Sequence, residues 1–231
     1  MIPQIRYELA FPNPNSANEA GIVAWGGDLS PSRLLLAYRN GIFPWYSQGD
    51  PILWWSPNPR LILELDDFKL RRSLKKRLKY FDVRIDTAFS EVVTACGSTP
   101  RQGQDGSWIL PEIVEAYGVL HEMGYAHSVE SYQDGKLVGG LYGVAIGKVF
   151  CGESMFAHVS DASKVAFAFL VDHLKLWGYE FIDAQVPTLH VKSLGGIEVS
   201  REVFLKRLKT VVNEEVHQDS WKTVIDSKKS D

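Results

Sequence analysis

The alternation of apolar and polar positions is most regular in the second half of the chain. Three alternating runs follow one another there, separated by Asp134-Gly135 and by Gly147. Asp-Gly between two alternating runs is a strong signal for a β-hairpin. We therefore predict three consecutive antiparallel strands, over residues 126–133, 136–146 and 148–155.

Helical patterns and one further strand follow this meander. The segment from Ser160 or Asp161 to Trp177 is apolar over most of its circumference, which is typical of a buried helix. We then predict a strand over 179–186, a brief helix over 188–194, an amphipathic helix over 200–212 and a frayed polar tail. This order predicts an α+β, mixed-sheet domain of the acetyltransferase-like (GNAT-like) type, in which two central strands splay to admit a ligand.

The first sixty residues have a different pattern, rich in proline, glycine and aromatic residues. We predict irregular chain over 1–29 and one helix over 31–40, with Ser30-Pro31 at its start and Gly41 at its end. The prolines that follow forbid long regular structure. We assign residues 1–60 to a small N-terminal α/β domain and 61–231 to the acetyltransferase-like catalytic domain. Trp45, between two turn signals, is a candidate stacking surface.

A basic amphipathic helix is predicted over residues 66–81, preceded by a strand over 60–65. No acidic residue lies between Lys69 and Phe81. Such a face is either solvated or in contact with a phosphate backbone, and both interpretations stay open. The four candidate RNA-binding residues on it are Arg72, Lys75, Lys76 and Lys79.

Composition excludes several classes of protein. The chain has 231 residues, 45% of them hydrophobic, and a net charge of −3, so it has ample core and no global attraction to nucleic acid. No apolar run approaches the length of a membrane span, and the N-terminus lacks a secretory signal. The two cysteines, Cys96 and Cys151, suggest no disulfide scaffold. We expect a cytoplasmic protein, and a monomer.

Three polar side chains stand in apolar runs. Glu153 lies among Phe150, Met155 and Phe156, where a carboxylate is costly unless something pairs with it. Asp183 and Gln185 are two apart on a predicted strand, so we expect them to share a face. They are a candidate reacting pair, with Asp183 orienting the Gln185 amide. The alternative is that Asp183 caps the next helix.

Motifs for common cofactors are absent. The sequence has no phosphate-binding glycine loop, no dinucleotide-binding fingerprint and no Cys-x-x-Cys or His-Glu-x-x-His. The turn that binds the coenzyme A pyrophosphate in true acetyltransferases is also missing between residues 156 and 164. We expect neither a cofactor nor a metal.

Several rare motifs stand in fixed order along nearly the whole chain. They include Gly41-Ile-Phe-Pro-Trp-Tyr, Trp54-Trp-Ser-Pro, Leu137-Val-Gly-Gly-Leu-Tyr-Gly-Val, Phe150-Cys-Gly-Glu-Ser-Met-Phe and Ile182-Asp-Ala-Gln-Val. In these the chain resembles the leucyl/phenylalanyl-tRNA–protein transferases. The resemblance implies an enzyme that moves Leu, Phe or Met from aminoacyl-tRNA to a protein with N-terminal Arg or Lys, which marks the product for degradation.

The resemblance also implies roles for individual residues. Trp45 and Trp108 match the tryptophans associated with the 3′-terminal adenosine. Glu153 matches the acidic residue of the donor pocket, and Asp183 and Gln185 match the pair at the reacting centre. The apolar wall of that pocket is matched by Leu141, Met155, Phe167, Leu170 and Ile182. Two other classes stay open, a coenzyme A-dependent N-acyltransferase and a non-enzymatic RNA-binding module.

Overall fold

A computed structural model describes residues 2–100, 108–214, 216, 221 and 224–225. Its first sheet has four short strands in the order β1-β2-β4-β3. Their bounds are β1 (Gln4–Ile5), β2 (Ile22–Gly26), β3 (Phe43–Pro44) and β4 (Leu53–Trp55), and helix α1 (Pro31–Arg39) lies between β2 and β3. The prediction of irregular chain over 1–29 is therefore wrong at β2. Pairing with β4, which lies about thirty residues away, makes this strand, and local sequence does not reveal it.

The second sheet has eight strands in the order β11-β5-β10-β9-β8-β7-β6-β12. Its strands are β5 (Arg60–Glu64), β6 (Asp82–Ile85), β7 (Ala126–Gln133), β8 (Lys136–Ile146), β9 (Val149–Ala157), β10 (Phe181–Gln185), β11 (Ile197–Val199) and β12 (Val224–Ile225). The predicted meander of β7, β8 and β9 is confirmed, with antiparallel pairing throughout. Strand β11 is missing from the sequence prediction.

Helices cover both faces of this sheet. They are α2 (Arg72–Arg77), α3 (Phe89–Ser98), α4 (Pro111–Glu122), α5 (Ala162–Leu176), α6 (Leu189–Ser193) and α7 (Arg201–Val211). Helix α5 buries nine of its fifteen residues, which confirms the predicted buried helix. None of the helices in the described part of the chain is long and apolar enough to cross a bilayer. The predicted α+β, mixed-sheet fold is confirmed.

The predicted basic helix is much shorter than expected. Only Arg72–Arg77 is α-helical, and a 3-10 turn over Leu78–Tyr80 follows. The chain before it is held elsewhere, because the N–H of Lys69 donates to the carbonyl of Leu194 at 2.8 Å. Gly195 makes this approach possible, since a Cβ there would lie 2.3 Å from the carbonyl oxygen of Asp67.

The prediction of a frayed C-terminal tail is wrong at Trp221 and at Val224–Ile225, and most of the remaining tail lies outside the described residues. Trp221 is buried, and the backbone of Val224–Ile225 pairs with β6. The surrounding sequence is polar, so the burial of Trp221 is not evident from local composition. Residues of the N-terminal sheet and of the large sheet also share one hydrophobic core, which includes Trp54, Tyr117 and Phe204. The division into domains at residue 60 stays a prediction.

Candidate active site

The two central parallel strands separate halfway along their length. β9 and β10 pair only from Val149 to Cys151 and from Phe181 to Asp183. Beyond these residues β9 continues to Ala157 and β10 to Gln185, but the two described strands no longer pair with each other. The predicted splay is thus present. Two cavities open at it, of about 280 and 250 Å³, and they share four lining residues, Gly152, Glu153, Ala184 and Thr188.

The larger cavity is mostly apolar. The structure brings together on its wall all five residues that the sequence assigned to a donor pocket, Leu141, Met155, Phe167, Leu170 and Ile182. They come from β8, β9, α5 and β10 and belong to one buried cluster or pack against it. Ser154 and His190 add polar groups, and the Nε2 atom of His190 is buried with no hydrogen-bond partner among the described residues.

The smaller cavity is lined by the two candidate tryptophans. Trp45 follows β3, and Trp108 lies just before α4, so elements far apart in sequence place the two rings on one cavity. The ring of Trp55 lies 5.2 Å from that of Trp45, and its Nε1 donates to the carbonyl of Trp45 at 2.5 Å. Trp45 is therefore held in position, while part of its surface stays accessible.

Glu153 stands where the two cavities meet, and three side chains donate to its carboxylate. Tyr38 and the Nε2 atom of Gln185 each donate to Oε1 at 2.7 Å, and Tyr117 donates to Oε2 at 3.3 Å. Burial raises the pKa of Glu153 to about 7, with a contribution from the charge of Asp183, although the hydrogen bonds oppose the shift. Both forms of this carboxyl group are consequently populated near neutral pH.

No role was assigned from the sequence to the two tyrosines beside Glu153, Tyr38 and Tyr117. Burial and the neighbouring Glu153 charge raise the pKa of Tyr38 and of Tyr117, so both hydroxyls stay protonated donors. The two hydroxyls also hydrogen-bond to each other, and since each carries one proton, at any one time one tyrosine donates to the other while the second donates to Glu153. A signal for this role exists in the sequence, because a tyrosine at a core-facing helix position needs a partner for its hydroxyl.

Asp183 is bound to a residue that sequence reasoning missed. Its carboxylate accepts from Nε and Nη2 of Arg60, at 2.8 and 2.6 Å, and both side chains are almost fully buried. The Arg60 guanidinium also lies over the rings of Phe43 and Phe204. Asp183 is not among the residues that line either cavity. Nor does it cap α6, since the side chain of Thr188 does so.

The predicted shared face of Asp183 and Gln185 is wrong. A register shift separates the two residues in the pairing of β10 with β5, and Gln185 has a positive φ of 60°. A bulge of this kind re-aims the following side chain. Asp183 Oδ1 accepts from the backbone N–H of Gln185 at 2.9 Å, while the side-chain amide of Gln185 bonds to Glu153. Asp183 thus fixes the bulge and leaves the amide to Glu153.

The four basic candidates form an exposed group away from both cavities. Arg72, Lys75 and Lys76 lie on α2, and Lys79 lies in the 3-10 turn after it. Their neighbour Arg77 instead turns toward Asp161, at 4.0 Å. All four side chains are exposed to solvent.

One group of side chains in the described ranges has the composition of a metal site. Asp86, His121 and His127 place one ligand atom each within 4.8 Å of one another. In the structure these atoms are occupied by hydrogen bonds. His127 Nδ1 bonds to Asp86 at 2.7 Å and its Nε2 to the carbonyl of Gly124 at 3.1 Å. Both ring nitrogens of His127 therefore have hydrogen-bond partners within the protein.

Sequence comparison adds to this geometry. A profile described as leucyl/phenylalanyl-tRNA protein transferase matches residues 62–209, and one for the N-terminal domain of the same family matches residues 27–58. The chain is 64% identical over 222 residues to a leucyl/phenylalanyl-tRNA–protein transferase of Sulfurimonas denitrificans, covering 96% of this chain and 97% of that one. It is 51% identical over 225 residues to the same enzyme of Nitrosospira multiformis, covering 96% and 97%.

Solved structures are more distant. A GCN5-related glucosamine N-acetyltransferase region of a fungal multi-domain β-N-acetylglucosaminidase matches with a TM-score of 0.43 and 12% identity, covering 77% of this chain and 23% of that one. Similarity at this level carries no information about substrate. The two profiles and the near-full-length relatives do, and this chain belongs to the leucyl/phenylalanyl-tRNA–protein transferase family.

Proposed function

We propose that this enzyme transfers Leu, Phe or Met from aminoacyl-tRNA to the N-terminal Arg or Lys of an acceptor protein, in the cytoplasm, and so marks that protein for degradation. One observation carries the proposal: an apolar cavity and a tryptophan-lined cavity meet at the hydrogen-bonded pair of Glu153 and Gln185. The donor supplies an apolar side chain and a terminal adenosine, joined at one ester, which matches two adjoining cavities of different chemistry.

The donor occupies both cavities in this proposal. Its side chain enters the cavity of Leu141, Met155 and Ile182, where apolar surface leaves water. Its adenine stacks on Trp45 or Trp108, because a planar base pairs well with an indole face. The ester carbonyl then lies near the shared wall, close to Glu153. The exposed basic group around α2 binds phosphates of the same tRNA.

The chemistry follows from an ester that is already activated, so the reaction needs no further nucleotide, coenzyme or metal. The neutral α-amine of the acceptor attacks the ester carbonyl, a C–N bond forms, and the C–O bond to the tRNA ribose breaks. The amine loses one proton and the ribose oxygen gains one. Gln185 bonds to Glu153 through Nε2, and its Oε1 accepts a hydrogen bond from the attacking amine.

Asp183 acts in this scheme as a positioning residue. It holds the backbone N–H of Gln185 and is itself held by Arg60, so the bulge that presents Gln185 is rigid. Glu153 in its ionised form supplies the counter-charge for a cationic acceptor residue. Its pKa of about 7 lets that charge appear in the physiological range.

The direct test is a transfer assay without coenzyme A. The protein is incubated with Leu-tRNA and an Arg-initiated peptide, and the peptide mass is followed. We expect a gain of one leucine residue, and a much slower gain with an Ala-initiated peptide. Product only on addition of an acyl-coenzyme A would support the N-acyltransferase alternative. Tight tRNA binding without any product would support a non-enzymatic RNA-binding module.

A further inference from the structure

The C-terminal tail reaches the rear of the apolar cavity through one residue. Trp221 is 5% exposed and belongs to the same buried cluster as Leu141, Leu170 and Ile182, which line the cavity. Its ring lies 5.9 Å from the ring of Phe150, at an interplanar angle of 28°. Phe150 lines the cavity directly. A residue outside both sequence profiles is therefore in contact with a side chain that lines the apolar cavity.

Phe150 can lie across the sheet because of a glycine. A Cβ on Gly143 would meet two atoms of the Phe150 ring at 2.6 Å, so any larger residue would displace the ring. One side of Phe150 thus rests on bare backbone of β8. Trp221 packs against the ring as well, and the position of Phe150 depends on both neighbours.

Trp221 is anchored independently of the cavity. It stacks on His127 at 3.9 Å and 10°, and it meets Trp177 edge-on at 4.6 Å. Both ring nitrogens of His127 are hydrogen-bonded, one to a carboxylate and one to a backbone carbonyl, so the imidazole plane on which Trp221 stacks is held in place. The Trp221 indole also forms a hydrogen bond with Tyr179. The ring is fixed by the sheet, so it can act as a rigid support.

We propose that Trp221 sets the depth of the donor side-chain pocket by holding Phe150 in place. The inference rests on the proposed function, because it identifies the apolar cavity as that pocket. Trp221 does not touch the donor, so it is a positioning residue that determines specificity. Removing it lets Phe150 retreat, which deepens the floor, weakens the fit for Leu and admits a larger side chain.

The test compares donors in Trp221→Ala, Trp221→Phe and wild type. We expect kcat/KM for Trp-tRNA relative to Leu-tRNA to rise about tenfold or more in Trp221→Ala. Trp221→Phe keeps an aromatic support and restores most of the wild-type ratio. Phe150→Leu gives a similar change, and adding Trp221→Ala to it changes the ratio little further, since Trp221 acts through the Phe150 ring.

Leu208→Ala is the control for loss of stability, because Leu208 is buried on α7 and lines neither cavity. Its donor ratio stays at the wild-type value. An unchanged ratio in Trp221→Ala, or an equal change in Leu208→Ala, overturns the inference while the proposed function stands. A wild-type protein that transfers no leucine overturns both. Binding of minimal Leu- and Trp-adenosine donors repeats the comparison without turnover.

Discussion

Arg60 donates to both carboxylate oxygens of Asp183, and the two residues are 123 positions apart in the chain. Removing one partner of a buried ion pair leaves an uncompensated charge, which typically costs about 3–5 kcal/mol. We therefore expect Asp183→Leu to destabilise the protein by roughly that amount. Denaturant unfolding measures it.

The double variant Arg60→Met, Asp183→Leu separates stability from catalysis. Both charges are gone, so stability recovers most of the loss. The acceptor of the Gln185 backbone N–H is also gone, so kcat stays low. If transfer recovers together with stability, Asp183 does not position Gln185.

Sequence periodicity correctly predicts the strands and helices that local sequence patterns determine. β7, β8 and α5 were found from alternation, from the Asp134-Gly135 turn and from apolar coverage. Arg60 was not found, because nothing near it in sequence indicates a carboxylate 123 residues away. The bulge at Gln185 was missed for the same reason, since it arises from pairing with β5.

In the candidate site, too, some features could be predicted from the sequence, while others depend on tertiary contacts. The resemblance in motifs selected the five residues that the structure places on one apolar cavity. It did not reveal that Tyr38 and Tyr117 bind Glu153, because their hydroxyls look like ordinary core tyrosines in a helical pattern. Interactions between helices of different segments need tertiary structure.

The pKa of Glu153 predicts a specific pH dependence of stability. It is raised to about 7 in the folded protein from 4.5, so between these values the native state binds more protons than the unfolded state. Stability due to this group therefore falls as pH rises through that window, by at most on the order of 3 kcal/mol. The free energy of unfolding, measured from pH 5 to 8 and compared with Glu153→Gln, isolates it. Parallel profiles for the two proteins would contradict the raised pKa.

The same titration affects the acceptor. Glu153 gains its charge as pH rises through about 7, so discrimination between Arg- and Ala-initiated peptides should grow across that range. Deprotonation of the α-amine affects both peptides alike, so it cancels in the ratio of their kcat/KM values. Glu153→Gln should give a small ratio that does not change with pH. A pH-independent ratio in the wild type would assign acceptor recognition to another residue.

Replacing Trp45 or Trp108 with Ala tests the adenosine site. Loss of a stacked base costs about 1–3 kcal/mol, or roughly ten- to a hundredfold in affinity. The loss should be equal for full tRNA and for aminoacyl-adenosine, because both carry the base. Trp25→Ala is a matched control, since Trp25 bonds to Ile2 and lines neither cavity. If the affinity for aminoacyl-adenosine is unchanged in one of these variants, the replaced tryptophan has a structural role and does not bind the base.

The basic group predicts a salt dependence. Replacing Lys75 and Lys76 with Ala should weaken tRNA binding whatever amino acid is attached. The slope of log affinity against log salt should fall by roughly 0.7–0.9 for each phosphate that the protein no longer neutralises. Lys206 and Lys209 are exposed on α7 and provide a control of equal charge. If the slope of log affinity against log salt is the same for the two double variants, the basic side chains of α2 contact solvent and not tRNA phosphates.

Donor selectivity follows from the shape and polarity of the apolar cavity. The part of its wall formed by Leu141, Phe167 and Leu170 offers no hydrogen bond, so a polar side chain that reaches this part would lose water without replacement. The polar groups of Ser154 and His190 lie elsewhere on the wall. Leu, Phe and Met reach into such a cavity, while Ile and Val carry their branch at Cβ, against the mouth. An apolar pocket separates close analogues by only about 1–3 kcal/mol, so Ile and Val should be slower by roughly one to two orders of magnitude.

Met155→Ala tests this assignment directly, because Met155 is partly buried on β9 and lines the same cavity. The shorter side chain enlarges the cavity, so Leu should pack less closely and bulkier donors such as Trp should be favoured. Transfer rates for a panel of charged tRNAs measure the ranking in both proteins. The affinity for uncharged tRNA should not change, since it involves no donor side chain. If Ile-tRNA equals Leu-tRNA in the wild type, or the ranking survives in Met155→Ala, the donor side chain binds elsewhere.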